Sequence, residues 1–347
     1  MKRPIKLTKT IFIILIISQS PLFSQFPVIA VQNGGEPSFF TVLDEAIENA
    51  DSGDTLYFPG GTFGVTTPIN KELHFVGTGH NPDSASTQST TRIVGTLNLT
   101  HGCDSTSIEG FYMDDIFLGN GSGNNVFLKC SNIEVKRCNV GFVVLGGQYA
   151  NDTNTVNDVQ NVLISECVVR RNLFGRNAQN VIIEKNIFDS RIEGFNSGVI
   201  ISNNIFMTRP FYENTGLLVN NNIFLYFGNL LSGNTNCTFN NNVFVWDLSE
   251  STATNTFNNN VISVAWNTIF ESLVSPLFDY ENNYHLSPGS PASGIGIGGI
   301  DAGIYGPSQP YTNGITKYPY IEEINIPNST DDSGHLNIQV KVSARDY

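Results

Sequence analysis

No lysine or arginine occurs between Pro210 and Thr316, and charged residues make up only 14% of the 347-residue chain. The balance is acidic, with a formal net charge of −13. Such a surface excludes non-specific capture of nucleic acid or anionic lipid, which needs clustered cations. No apolar run is long enough to cross a bilayer, so no membrane insertion is expected. Neither a CxxC pair nor any Cys/His spacing points to a zinc site. Cysteines number five, an odd count for a simple disulfide framework.

The first residues read as an address. Lys2, Arg3, Lys6 and Lys9 precede the apolar run Ile11–Ile17, and Ser20 to Gln25 supplies a cleavage region. This is the pattern of a signal peptide over residues 1–24. The expected product is secreted or held at the cell surface, with a net charge of about −17 once the four leader cations are removed. No cysteine sits near the cleavage region, which leaves a lipid anchor without support.

What fills the middle of the chain is one nine-residue phrase. It runs NIEVKRCNV, NVLISECVV, NVIIEKNIF, GVIISNNIF and GLLVNNNIF, then looser copies ending NNNVF and NNNVI. Aligned on the seventh residue, the copies put Cys138, Cys167, Asn186, Asn204, Asn222, Asn242 and Asn260 in one column, at steps of 29, 19, 18, 18, 20 and 18 residues. A period near 20 without helical patterning means stacked coils of strand, each unable to bury its apolar face alone. In NVIIEKNIF, Val181–Ile183 reads as a buried strand and Asn186 as the residue tolerating a left-handed bend. Stacking then lines up Phe188, Phe206, Phe224 and Phe244, with Val140 and Val169 before them and Ile262 after, as an aromatic core.

Upstream, TVLDEAIENA over 41–50 places Leu43, Ala46, Ile47 and Ala50 on one helical face, with Thr41 and Asp44 set as a capping box. A helix there would cover the exposed first coil. Strands are expected at Thr55–Phe58, Phe63–Val65 and Leu73–Val76. The segments AIENADSGDTLYFPGGTF and INKELHFVGTG resemble the start of many right-handed parallel β-helix proteins of the pectate-lyase-like superfamily, and the Asn column is similar to its asparagine ladder. The resemblance covers roughly Phe39 to Gly306. It implies an all-β, right-handed parallel β-helix over 25–308 with an N-terminal capping helix. The superfamily hosts lyases, hydrolases, esterases, epimerases and non-catalytic surface proteins, so it leaves activity open. Beyond Val261 the phrase fades into Gly/Pro-rich sequence similar to the close of exported bacterial β-helix proteins, and the tail 309–347 alternates like a β-hairpin. The expected state is a monomer.

Cys138 and Cys167 share a column on neighbouring coils. Side chains stacked this way point in the same direction, which suits a disulfide poorly, so the expectation is small buried thiols.

Nine of the eighteen cations lie between Lys129 and Arg209, beside the long insertion GGQYANDTNTVND. Insertions in a solenoid leave as loops from one face, often the binding face. Arg170, Arg171, Arg176, Lys185 and Arg191 are therefore the candidate contacts for an acidic glycan, since guanidinium forks match carboxylates. Local pairing with Glu166, Glu184 and Glu193 on solvated outer faces is the plainer reading of the same residues. Asp114-Asp115 is similar to the adjacent aspartates of polygalacturonases. Neighbours on a regular strand point to opposite faces, so a working carboxylate pair would need a bend here, and the family's companion triplets NTD, GHG and RIK are absent. Asn151–Asp158 offers oxygen ligands for calcium but lacks the glycine and terminal glutamate of an EF-hand loop. No cofactor is otherwise implied.

Three functions follow as expectations: a glycan-binding or structural protein without a catalytic set, a polysaccharide lyase acting on an acidic polymer, and an adhesin or surface scaffold.

Overall fold

A computed structural model describes residues 27–82, 90–119, 129–146, 159–226, 233–248, 254–275, 277–316, 320–325, 329–330, 333–335, 337 and 339–343. The leader and the calcium-loop expectation at Asn151–Asp158 fall outside these residues.

The chain is an all-β parallel β-helix. One twelve-stranded sheet opens with an antiparallel pair, Ser38–Phe40 on Ile29–Gln32. From Asp54–Tyr57 it continues in parallel through Leu73–Val76, Ser107–Glu109, Cys130–Lys136, Val159–Ser165, Ala178–Glu184, Val199–Ser202, Leu218–Asn220 and Thr238–Asn240 to Thr256–Asn258. The second sheet begins with Gly61–Gly64, Thr91–Leu99, Tyr112–Leu118 and Asn139–Leu145, each strand parallel to the last. It then divides. One arm carries Val168–Val169, Ile187–Phe188, Ile205–Phe206, Ile223–Phe224 and Val243–Phe244, and the other carries Leu173–Phe174, Ile192–Glu193 and Phe211–Tyr212. Short corners such as Arg170-Arg171 separate the arms, so two residues of strand suffice on each side.

The repeated phrase sets these turns. Its first residue is left-handed in Asn132, Asn161, Asn180, Gly198, Gly216 and Asn236, with φ from 54° to 68°. Its sixth is left-handed in Arg137, Glu166, Lys185, Asn203, Asn221, Asn241 and Asn259, with φ from 51° to 58°. The bend expected at Asn186 therefore belongs to Lys185. The reason is geometric: the chain turns at position six so that the side chain at position seven points inward. Three charged residues in this region each hold a conformation that non-glycine residues avoid at a cost of about 1 kcal/mol.

Position seven forms the ladder. Asn186 donates its backbone N–H to Asn204 Oδ1 at 2.8 Å, Asn204 to Asn222 Oδ1 at 2.8 Å, Asn222 to Asn242 Oδ1 at 2.8 Å, and Asn242 to Asn260 Oδ1 at 2.9 Å. Each amide also donates inward: Asn204 Nδ2 reaches Ile183 O at 2.9 Å and Ser202 O at 3.0 Å. The two cysteines imitate this. Cys167 Sγ lies 3.5 Å from Val135 O and 3.3 Å from Ser165 O, and accepts the N–H of Cys138 at 3.5 Å. They remain thiols occupying amide positions, joined to the amide column by Cys167 N–H donating to Asn186 Oδ1 at 2.8 Å.

Behind the ladder the Phe line is a stack. Phe188, Phe206, Phe224 and Phe244 have successive centroid separations of 4.9, 4.8 and 4.6 Å with planes within 11°. All four are buried, so the line is core, as the stacking predicts. Ile262, placed at its end, is instead 44% exposed, because the last coil has no successor to cover it.

The one α-helix among the described residues, Leu43–Asn49, covers the first coils with Leu43, Ala46 and Ile47. Its N-cap is Val42, without a side-chain cap. Asp44, read from the sequence as part of a capping box, accepts instead from the backbone of Thr66 and Thr67 at 2.8 and 2.9 Å, pinning the helix to the wall. Tyr320–Asn325 and Gln339–Ser343 pair antiparallel as the expected hairpin.

Residues 264–275 and 277–316 do more than fade. They turn back along the outside of the second sheet, where Ile187, Ile205, Ile223 and Val243 pack against Val264, Ile269, Ala302, Ile304 and Tyr311 in a second core. Side chains at position six of the phrase receive this strap in reverse order. Asn241 donates to Ile295 O, Asn221 accepts from Ile297 N–H, Asn203 donates to Gly303 O, and Lys185 donates to Gln309 O. Glu166 Oε2 then accepts from Thr312 Oγ1 at 2.7 Å.

Candidate functional site

The five candidate cations divide between two places. Lys185 belongs to the strap seam: its ammonium lies 3.7 Å from Glu166 and 3.8 Å from Glu184, and the residue is 8% exposed. Glu166 also binds Arg137 at 3.0 Å, and Arg137 binds Glu109 at 2.6 Å, giving an ionic column under the strap.

Arg170, Arg171 and Arg191 sit at the corners between the arms of the second sheet, and Arg176 lies just past Leu173–Phe174, in the turn leading to Ala178–Glu184. There they meet Arg92, Arg209 and three aromatic rings. Arg92 and Arg170 lie over Tyr112 at 5.1 and 4.4 Å, Arg171 lies over Phe142 at 4.3 Å, and Arg191 and Arg209 lie over Tyr212 at 4.7 and 5.5 Å. A guanidinium over a ring is drawn by the ring's quadrupole and loses rotamer freedom before any ligand arrives. Carboxylates complete the fixing. Arg171 reaches Asp115 at 2.9 Å, while Arg191 and Arg176 reach the two oxygens of Glu193 at 2.8 and 3.1 Å. Arg170 donates to Met113 O at 2.6 Å.

Gly141 makes the Arg171–Asp115 contact possible. A Cβ there would lie 2.6 Å from Asp115 Oδ1 and 2.7 Å from Arg171 Nη2.

Asp114 and Asp115 both sit partly exposed, against the alternation of a regular strand. The neighbouring strand shifts register between Ile93 and Thr96, where Gly95 has φ 102°, and this bulge supplies the bend. Each carboxylate is occupied. Asp114 accepts from Gly95 N–H at 3.1 Å and lies 3.8 Å from Arg92, while Asp115 accepts from Phe142 N–H at 2.8 Å as well as from Arg171. They act as anchors for the arginines.

Exposure sorts the cations further. The side chains of Arg92, Arg171 and Arg191 are 49, 46 and 32% exposed, whereas Arg176 is 17% exposed. The first three remain open to a ligand. Tyr212 carries its hydroxyl against Glu213, which pushes its pKa up and leaves it a poor proton acceptor near neutral pH. Asp189, desolvated near Arg170 and accepting from Phe278 N–H at 2.7 Å, has a raised pKa.

His80 is buried at the far end of the strap. Its Nδ1 is 2.9 Å from the Tyr280 hydroxyl, which also accepts from Asn139 Nδ2 at 2.9 Å. Burial holds its pKa down at about 3, so the imidazole is neutral.

Among the described residues no cluster of three or more His, Cys, Asp or Glu is arranged to hold a metal, and no helix is long and apolar enough to cross a membrane. The sequence pattern marked Arg209 among the nine cations without singling it out, and left Arg92, Tyr112 and Phe142 unmarked. Sequence reasoning also missed a second ladder, in which Phe195 N–H donates to Asn214 Oδ1 and Asn214 N–H to Asn234 Oδ1, both at 3.0 Å. The step of 20 residues from Asn214 to Asn234, equal to that from Asn222 to Asn242, was the available signal. No protein-family model, curated protein or solved structure matches the chain.

Proposed function

We propose that this is an exported β-helix protein that binds an anionic glycan along the arginine–aromatic face of its second sheet, without catalysing a reaction on it. The observation that carries the reading is the trio Arg92, Arg171 and Arg191. Each is open to solvent, each lies over an aromatic ring, and each is steadied by a carboxylate. A carboxylate-bearing polymer would meet cations whose ordering entropy is already spent. The carboxylates that steady them also temper the charge, favouring a shaped ligand over any polyanion. The resemblance of the N-terminal coils to the pectate-lyase-like superfamily supports a carbohydrate ligand, and the leader-like first residues support export.

A lyase reading has one specific observation in its favour, the convergence of Arg191 and Arg209 on Tyr212. The raised pKa of Tyr212 weighs against its serving as the base. Incubation with alginate, pectate and glycosaminoglycans separates the two readings. The binding reading expects retention of the protein by at least one of these polymers and no rise in ultraviolet absorbance. Formation of unsaturated product would replace it with the lyase, and absence of binding across the panel would leave a scaffold or adhesin.

A further inference from the structure

We infer that Cys103 and Cys130 form a disulfide in the oxidised chain, a covalent staple between two successive coils. Their sulfurs lie 3.0 Å apart and both residues are buried, at 0 and 1% exposure. The Cys103 thiol donates to Cys130 Sγ across a gap shorter than the ordinary van der Waals separation of two sulfurs, and covalent bond formation relieves that contact.

The objection to a bridge between stacked residues does not hold at this site. Cys130 opens the strand Cys130–Lys136, but Cys103 lies in the turn before Ser107–Glu109. The turn is shaped by Gly102 at φ 98°, and by Cys103 N–H bound to Thr100 O at 3.1 Å. Its side chain is thus free of the parallel alignment that strands impose. The coil register delivers the partner: Ser131 donates its N–H to Asp104 at 2.7 Å, and Ser105 donates to Ser131 O at 3.0 Å.

Cys138 and Cys167 have other work in the ladder. Cys237 likewise accepts a place in a column, its N–H donating to Asn255 Oδ1 at 2.9 Å. One pair and three structural thiols account for the odd count.

The reaction is thiol–disulfide exchange with a small disulfide oxidant. The thiolate of one cysteine attacks the oxidant's S–S bond, giving a mixed disulfide and one released thiol. The second cysteine's thiolate then displaces the other half. Two protein S–H bonds are lost, one S–S bond forms, and the oxidant leaves as two thiols carrying both protons and both electrons. The hydrogen bond with Cys130 and then burial raise the Cys103 thiol's pKa, and burial closes off access, so exchange belongs to the stage when the coils are winding. The closed loop holds the strand Tyr112–Leu118, and so tethers Asp114 and Asp115 beneath the arginine face.

The test is refolding of the reduced, full-length protein in a glutathione redox buffer, followed by alkylation in denaturant and tryptic mapping. Cleavage after Lys129 separates the two cysteines, so a bridge must appear as joined peptides. Three alkylated cysteines (Cys138, Cys167 and Cys237) with a Cys103–Cys130 linked pair are expected. Reduction should lower the melting midpoint by roughly 5–15 °C. Cys103→Ser and Cys130→Ser should each abolish that sensitivity to reductant, and a variant that fails to fold does not affect the wild-type map. Five alkylated cysteines, or a link between Cys138 and Cys167, would overturn the inference. The compartment of the mature chain rests on the export reading, whereas refolding in a defined buffer does not. A bridge formed in vitro but absent from protein recovered from its native host would count against export alone.

Discussion

Replacing Asn222 with alanine probes the ladder at a rung bonded on both sides. Its Oδ1 accepts from Asn204 N–H at 2.8 Å and Asn204 Nδ2 at 2.9 Å. Its Nδ2 donates to Ile201 O at 2.9 Å, Asn220 O at 2.8 Å and Asn242 Oδ1 at 3.0 Å. The residue is fully buried, so water cannot replace these partners without entering the core. A buried hydrogen bond contributes about 1 kcal/mol net, and an orphaned buried donor costs about 1–3 kcal/mol. Asn204 N–H loses its sole side-chain acceptor, Ile201 O and Asn220 O lose a donor each, and Asn242 Oδ1 keeps the Asn222 backbone N–H. The loss therefore comes to about 3–5 kcal/mol, or a fall in melting midpoint of roughly 6–20 °C for a domain of this size. Urea and thermal unfolding followed by far-ultraviolet circular dichroism read this directly. Asn240→Ala is the control, because that amide joins Asn220 and Asn258 on the outer face, where water can substitute. It should cost less than about 1 kcal/mol. Equal shifts for the two variants, or an unchanged midpoint for Asn222→Ala, would refute the assignment of the ladder as a buried structural spine.

Two further perturbations address the strap. His80, with its pKa held near 3 against 6.5 in the unfolded chain, stabilises the fold fully above pH 6.5 and loses that contribution as pH falls toward 3. Asp189 opposes it, since a raised carboxyl pKa favours the fold on acidification. The midpoint should drop between pH 6.5 and 4, and His80→Gln should flatten that part of the curve; an identical slope in the variant would remove His80 as the cause. Glu166→Gln leaves Arg137 and Lys185 without the carboxylate they share and should destabilise by about 3–5 kcal/mol. It should also open residues 303–316 to proteolysis before the coils unfold, and strap cleavage at the wild-type rate would contradict the seam.

The coils were legible because their forces are periodic. A residue repeating every 18 to 20 positions shows in the sequence which side chains stack, and Asn186 to Asn260 and Phe188 to Phe244 do so. The turns were legible only to within a residue. Lys185 and Asn186 are both polar, and only the inward donation of Asn186 to Ile164 O tells ladder from bend. The strap was illegible: Thr312 meets Glu166 across 146 residues of sequence, with no period to announce it. This is why Lys185, adjacent in sequence terms to the other cations, belongs to a different place from Arg171. The face itself was half legible. Arg170, Arg171 and Arg191 are visible as a cluster, but Tyr112, Phe142 and Arg92 join them only through the register of strands several coils apart. That a bend is needed at Asp114-Asp115 was legible, but not that one is there, because the Gly95 bulge lies on the neighbouring strand, where no local pattern reveals it.

Binding of an anionic glycan by Arg92, Arg171 and Arg191 is the proposal on which the functional reading depends. Its most direct measurement is calorimetric titration of the wild type and of an Arg171→Gln, Arg191→Gln double variant with whichever uronate polymer retains the protein. About a 30-fold or greater loss of affinity is expected in the double variant, from two charge-assisted contacts at about 1–2 kcal/mol each, with the melting midpoint nearly unchanged. Wild-type affinity in the double variant, with the fold intact, would contradict it.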